Sequence, residues 1–248
     1  MLKHGFEMVW TTVVEEENFD IRYFSRVENV NRNESSVLLQ YAKPDYKVYS
    51  KVCDFLIWTA PMPMLLNSLS NPTKEEIDLF STLSPHYFVT TLMKEKGVIR
   101  NRPITYYQES VDKKIDGAVV ADASMEDALN YCDNGCASQM NDYSKDVGRE
   151  RHLTVFQLAR EAMSEKQSNQ IVREHYEKRF NATSLEILDT KIWEYFFKWT
   201  PEEVAKGSHW KLFNIQGTQR TWYAGSSVSM EIIKSVLEYN ELLLRQMK

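Results

Sequence analysis

Gly225 closes the apolar run Thr221-Trp222-Tyr223-Ala224 and opens the polar run Ser226-Ser227-Val228-Ser229. That order of residue types suits anion binding. A short strand that ends in glycine and feeds a helix presents backbone N–H groups to a phosphate. The glycine lets the backbone come close, and the serines can cap the helix or bond a ligand. Glu231 works against this, because a carboxylate in the first helical turn already uses the positive helix end.

Other constellations are open to two readings. Cys132-x-x-x-Cys136 is half of a metal site or a pair of loop thiols, and no second Cys/His pair stands at ligand spacing. A Ser-His-Asp triad would lack the Gly-x-Ser-x-Gly elbow, and His86 after Pro85 reads as a strand-start residue. The run Trp193, Tyr195, Phe197, Trp199 shares one face at period 2. That face either lines a core or stacks a planar ligand, and the core reading is preferred.

The 248 residues suffice for one large domain or two smaller ones. A net charge of −5 argues against nucleic acid as an electrostatic partner. No stretch approaches the ~20 apolar residues of a membrane span. The start, Met-Leu-Lys-His-Gly-Phe-Glu, has no apolar h-region, which points to an intracellular rather than a secreted protein. The 3 cysteines do not make a disulfide framework. Among the 8 glycines no two stand one residue apart, so both Gly-x-Gly-x-x-Gly and a P-loop are absent from these residues.

The elements that must position the Gly225 stretch are legible in order. Gly5 to Glu17 has helical apolar spacing, and Asp20 to Tyr23 reads as a short strand. Val27 to Arg32 and Ser35 to Tyr41 alternate around a polar turn, which is a hairpin. Phe55 to Ala60 lacks alternation, as a strand buried on both faces of a parallel sheet does. Met64 to Leu69 is a short helix or turn. Thr73 caps a helix whose Ile77, Phe80 and Leu83 point inward.

From His86 to Ala159, four β-rich segments with polar connectors predict a second, mostly antiparallel sheet. An irregular connector spans Met125 to Arg151. Glu161 to Phe180 is a solvated helix, and Leu185 to Trp199 a long strand. Thr200-Pro201-Glu202-Glu203 starts a helix. Lys211 to Ile215 and Thr221 to Ala224 are predicted strands. The last helix carries an apolar stripe that includes Ile233, Leu237, Leu243 and Leu244.

Four of these stretches resemble the flavin-containing amine oxidases in the order that family has them. Thr221 to Ser229 with its helix resembles the C-terminal FAD-binding segment. Gly5-Phe6-x-x-x-Trp10 followed by Phe19-Asp20-Ile21-Arg22 resembles the helix and strand before the second FAD contact. Arg26-Val27-x-x-Val30-x-Arg32 resembles the strand that leans on the adenine. Cys53 to Pro61 resembles the buried strand and turn that return towards the cofactor. The resemblance begins in the middle of the family's chain and implies only its C-terminal half.

What it implies is a mixed α/β (α+β) fold: a partial, Rossmann-like FAD-binding domain from both chain ends, residues 1–84 and 205–248. Residues 85–204 would form an inserted substrate-type domain with a mostly antiparallel sheet. The implied cofactor is FAD. It would be held by Val27 at the adenine, by the turn Thr59-Ala60-Pro61, and by Gly225, Ser226, Ser227 and Val228 at the diphosphate and ribityl side. The implied chemistry is hydride transfer from a substrate C–H bond to flavin, on a small-molecule substrate. No catalytic residue carries over. Members that oxidise amines often carry a substrate-domain lysine, whereas His86 to Met93 has none and Lys94 stands at the strand's end. Ser226-Ser227 also stands where many members have an acidic or threonine-acid pair after the Ala-Gly.

The alternative is a truncated, non-catalytic relative that does not hold FAD by itself and serves as an interaction module. Without an N-terminal half, the strand at Phe55 to Ala60 would present an unpaired apolar edge. Poor solubility or self-association is the expected consequence.

Overall fold

The computed structural model describes residues 5–96, 104–124, 150–180, 182, 184–229 and 232–247. In chain order the elements are α1 (Gly5–Glu16), β1 (Arg26–Arg32), β2 (Val37–Ala42), β3 (Val48–Cys53), β4 (Leu56–Trp58), α2 (Met62–Ser68) and α3 (Lys74–Phe80). Next come β5 (Ser84–Lys96), β6 (Ile104–Tyr106), α4 (Gln108–Asp112), β7 (Val119–Ser124), β8 (Glu150–Ala159), α5 (Glu165–Phe180) and β9 (Ser184–Lys198). The chain closes with α6 (Pro201–Ala205), α7 (Ser208–Asn214), β10 (Thr221–Tyr223) and α8 (Ile233–Gln246). It is a mixed α and β fold that includes an antiparallel sheet. It divides into two compact units, Met1–Ser84 with Phe196–Lys248, and Pro85–Tyr195.

In the unit built from the chain ends, β1, β2 and β3 form an antiparallel meander. The predicted hairpin is present, with Arg32 opposite Val37. Its turn is closed by Asn33, whose Oδ1 accepts from the N–H groups of Ser35 and Ser36, both at 2.8 Å. The predicted cap of α3 is also present: Thr73 Oγ1 accepts from Glu76 N at 3.1 Å, and the Glu76 carboxylate accepts from Thr73 N at 2.8 Å.

Glu76 does more than complete that cap. It is buried and bonds the buried Arg32 through both oxygens, at 2.7 and 2.8 Å. The Tyr223 hydroxyl donates to the same carboxylate, and Arg32 donates to Thr221 Oγ1 at 3.2 Å. One ion pair therefore joins β1, α3 and β10. Burial raises the Glu76 carboxyl, but the bonds from Arg32, Tyr223 and Thr73 outweigh it and hold the group below its ordinary value. Burial and the neighbouring carboxylate push the Tyr223 phenol up.

Around this pair lies a core of Val30, Val37, Leu65, Leu79, Phe80, Trp199, Leu212, Tyr223 and Val228. The pairing also corrects the predicted inner face of α3. Ile77 is 46 % exposed, and Glu76 takes its place among Leu79, Phe80 and Leu83 because its charge is compensated.

Several other predicted elements differ. Asp20 to Tyr23 is not a strand; the Arg22 side chain holds Asp20 at 3.1 Å and donates to the Tyr41 hydroxyl. Lys211 to Ile215 is not a strand either. Gly207 takes φ +81, which starts α7 directly behind α6, and Leu212 is the apolar residue α7 buries. The final helix begins at Ile233, after the serines, so they do not cap it. Of its stripe, Leu243 is buried while Ile233, Leu237 and Leu244 are exposed. Phe196 has φ +45, which breaks the alternation of the aromatic run. Phe197 and Trp199 are buried, and Trp193 and Tyr195 are exposed.

The unit Pro85–Tyr195 holds a five-stranded sheet in the order β6-β7-β8-β5-β9. The pairs β6–β7, β7–β8 and β5–β8 are antiparallel. Strand β8 alternates in burial, and α5 packs Val172 and Tyr176 into a core with Met93, Tyr107, Val119, Leu153 and Val155. Polar ties fix the helix. Ser168 Oγ donates to Gln157 at 2.6 Å, and the Tyr107 and Tyr176 hydroxyls both donate to the buried Asp122. Cys132, Cys136 and most of the predicted connector lie outside the described residues. No described helix is long and apolar enough to cross a membrane.

The buried pair generates a prediction. Glu76→Gln lowers unfolding stability by about 3 kcal/mol at neutral pH in urea titrations. The folded-state carboxyl lies below its unfolded value near 4.5, so its contribution is complete above that pH. The gap between wild type and variant closes as pH falls through the depressed folded value.

Candidate functional site

Strands β4 and β10 run parallel, with Thr221 opposite Leu56 and Tyr223 opposite Trp58. Parallel strands place their C-terminal ends on the same side, and ligands of open α/β sheets gather at those ends. Here the two ends carry Thr59-Ala60-Pro61 and Ala224 to Val228. These are the two loops that the sequence singles out.

The loops touch. Ala224 N donates to Trp58 O at 2.9 Å, extending the ladder one step past β10. Gly225 then turns with φ +92, and a Cβ built on it would meet the Thr59 carbonyl oxygen at 2.8 Å. Only glycine fits both the angle and the space. The Gly225 carbonyl accepts from Val228 N and Ser229 N, each at 3.3 Å, and from Ser229 Oγ at 3.1 Å. The serines thus wind a turn on Gly225 in place of the predicted helix start. In that turn the N–H groups of Gly225, Ser226 and Ser227 have no partner among the described residues. Three successive free donors at a glycine turn are the kind of group that can bond an anionic oxygen.

Neighbouring residues hold this arrangement. Trp58 Nε1 donates to Pro61 O at 3.2 Å and closes the first loop. Arg220 donates to Glu34 O at 2.6 Å and to Asp54 O at 3.1 Å, which anchors the start of β10 to the hairpin tip and to the β3–β4 corner. Gln216 borrows the role of a neighbouring strand. Its side-chain amide accepts from Tyr223 N and donates to Tyr223 O, both at 2.8 Å. Sequence reasoning missed Gln216 and the Arg32–Glu76 pair. An isolated glutamine gives no signal, whereas the arginine at the end of β1 and the acid behind the Thr73 cap were both visible as separate motifs.

The predicted site residues have different settings. Thr59, Ala60 and Ser226 are exposed, Pro61 is half-buried, and Ser227 is buried. Val228 is buried and lines a cavity of about 210 Å³ with Trp210, Phe213 and Tyr239. Val27 sits on β1 opposite Tyr41 and packs against the same core as Val228. Glu231 lies outside the described residues. The predicted burial of Phe55 to Ala60 is corrected: the strand is three residues long, and Ile57 is 44 % exposed. Gln216 covers the far side of β10, and β4 has β10 as its one partner among the described residues.

No protein-family model matches the sequence, and no curated protein matches it. Solved structures do match in fold. A CLA-producing fatty acid isomerase from P. acnes aligns with a TM-score of 0.66 at 17 % identity, over 90 % of this chain and 47 % of its own. A reduced UDP-galactopyranose mutase aligns with a TM-score of 0.56 at 10 % identity, over 89 % of this chain and 46 % of its own. At these identities the likeness is one of fold. The chain spans less than half the length of either neighbour.

The contact at Gly225 predicts a sharp asymmetry between adjacent positions. Gly225→Ala destabilises the protein by at least about 1–2 kcal/mol, since it adds a left-handed penalty to a backbone clash. Ser226→Ala, exposed and beside it, changes stability by less than about 0.5 kcal/mol. Paired denaturant titrations read the difference.

Proposed function

We propose that this chain is the C-terminal portion of an FAD-dependent oxidoreductase, with the β4–β10 loops as one side of its cofactor site. The observation that carries the reading is the packing of Gly225 on the Thr59 carbonyl, which leaves three consecutive N–H donors in one turn. The four-part resemblance to flavin-containing amine oxidases and the fold shared with the isomerase and the mutase support it.

The residues present suit the group. The glycine turn offers donors to the negatively charged linkage, and the exposed Thr59 and Ala60 stand beside it. Val27 is half-buried and offers apolar surface, and Val228 backs the turn from the core. A bound flavin supplies a hydride acceptor, and the protein contributes orientation and a dry wall. Residues 1–84 and 205–248 would carry the cofactor, and residues 85–204, with the five-stranded sheet, would face the substrate.

Within that class the reaction is hydride transfer from a C–H bond, with the amine-oxidase-like group as the finer assignment. Lys94, the nearest lysine to the family's position, lies at the far end of β5 beside Glu150 at 3.5 Å. No amine-specific role is assigned to it.

A second reading is favoured by one observation: the apolar strand β4 keeps an edge without a strand among the described residues. On that reading the chain is a non-catalytic relative, and it docks a partner or a second copy there without binding FAD.

Titration of FAD with the purified chain separates the two. The first reading predicts quenched flavin fluorescence and a resolved visible band at saturation. It also predicts loss of both in a folded Gly225→Val variant and retention in Ser226→Ala. A flavin spectrum unchanged by the folded wild-type chain contradicts it.

A further inference from the structure

The unit Pro85–Tyr195 contains a cavity of about 160 Å³ that the flavin reading does not use. It opens where the end of α4, the start of β7 and the end of β8 converge. Ser110 and Lys114, from α4 and the turn that ends it, and Arg160, just past β8, line it. Its remaining wall holds His86 and Asp116 and is otherwise apolar, with Ile115, Val120 and Leu158.

We infer that this cavity binds the carboxylate of a short-chain organic acid. The charge is positive and available. Lys114 and Arg160 form no ion pair among the described residues. The one acid in the wall, Asp116, sets one negative charge against the two cations, and its Oδ1 accepts from the Arg160 backbone N–H at 2.7 Å. This bond also fixes the backbone from which the Arg160 guanidinium extends.

A second observation is independent of charge. Ser110 is more than nine-tenths buried, and its hydroxyl has no partner among the described residues although it lines the cavity. The hydroxyl is reached through the cavity, where a ligand oxygen is a fitting acceptor.

The backbone adds a third. Lys114 takes φ +50 at the C-terminal turn of α4, where glycine is the usual residue. A lysine is held there in a left-handed conformation. Strained positions of this kind gather at ligand sites.

The class of ligand follows from the two surfaces together. Two cations and a hydroxyl bond a carboxylate. The Ile115, Val120 and Leu158 surface covers a short aliphatic body, which bare phosphate lacks.

Calorimetric titration of the full chain with hexanoate, hexanol and inorganic phosphate tests this. Hexanoate is expected to bind saturably, with hexanol and phosphate each at least about tenfold weaker. The double substitution Lys114→Met with Arg160→Gln, on exposed residues, lowers hexanoate affinity by about tenfold or more, with the circular dichroism unchanged. Ser110→Ala lowers it severalfold. Absent hexanoate binding, affinity unmoved by the double substitution, or phosphate bound as tightly as hexanoate overturns the inference. Gly225→Val leaves hexanoate binding in place, so failure of the flavin reading registers separately.

Discussion

The Arg32–Glu76 pair is the interaction on which the chain-end unit depends. Its partners come from a strand near the start of the chain, a helix cap forty-four positions later, and two hydroxyls close to the end. Neither charge would be tolerated alone in that core, because an isolated buried ion costs far more than its surroundings can return. Together they fix where β10 lies relative to β1 and α3. With the Tyr223 and Thr221 hydroxyls bound to the pair, one register of β10 brings both of them to it.

That register sets the functional geometry. With Tyr223 beside Trp58, the next residues of both strands must emerge together, and Gly225 falls on Thr59. A one-residue slip would put Ala224 or Ser226 against that carbonyl, and each carries a Cβ that the φ and the space exclude. Gln216 holds the far edge of β10, and Arg220 anchors the start of the strand to the hairpin tip and the β3–β4 corner. The donors of Gly225, Ser226 and Ser227 then project from a rigid base, as ligand positioning requires. The fold shared with the isomerase and the mutase accommodates different chemistries, so the assignment of activity rests on this site and not on architecture.

Much of this was legible in the sequence where local rules act alone. The hairpin from Val27 to Tyr41, the Thr73 cap, the Thr200-Pro201 helix start and the long strand before Trp199 follow from turn chemistry, capping and alternation. The reading failed where distant residues decide. Lys211 to Ile215 has strand-like residues, but Gly207 and the burial of Leu212 commit it to a helix. Glu76 stands in the first turn of α3, and its burial depends on Arg32 from another element. The serines after Gly225 read as caps, and a short turn on the Gly225 carbonyl uses them first. The contact between Thr59 and Gly225 joins two loops 166 residues apart, and no periodicity in either one encodes it.

The most direct measurement is the amide spectrum of the isotope-labelled chain on addition of ADP, the diphosphate-bearing part of the proposed cofactor. The account predicts that the Gly225, Ser226 and Ser227 N–H resonances move furthest and saturably, with Thr59 and Ala60 following. Perturbations centred elsewhere, with those three amides unmoved at saturating nucleotide, would contradict it.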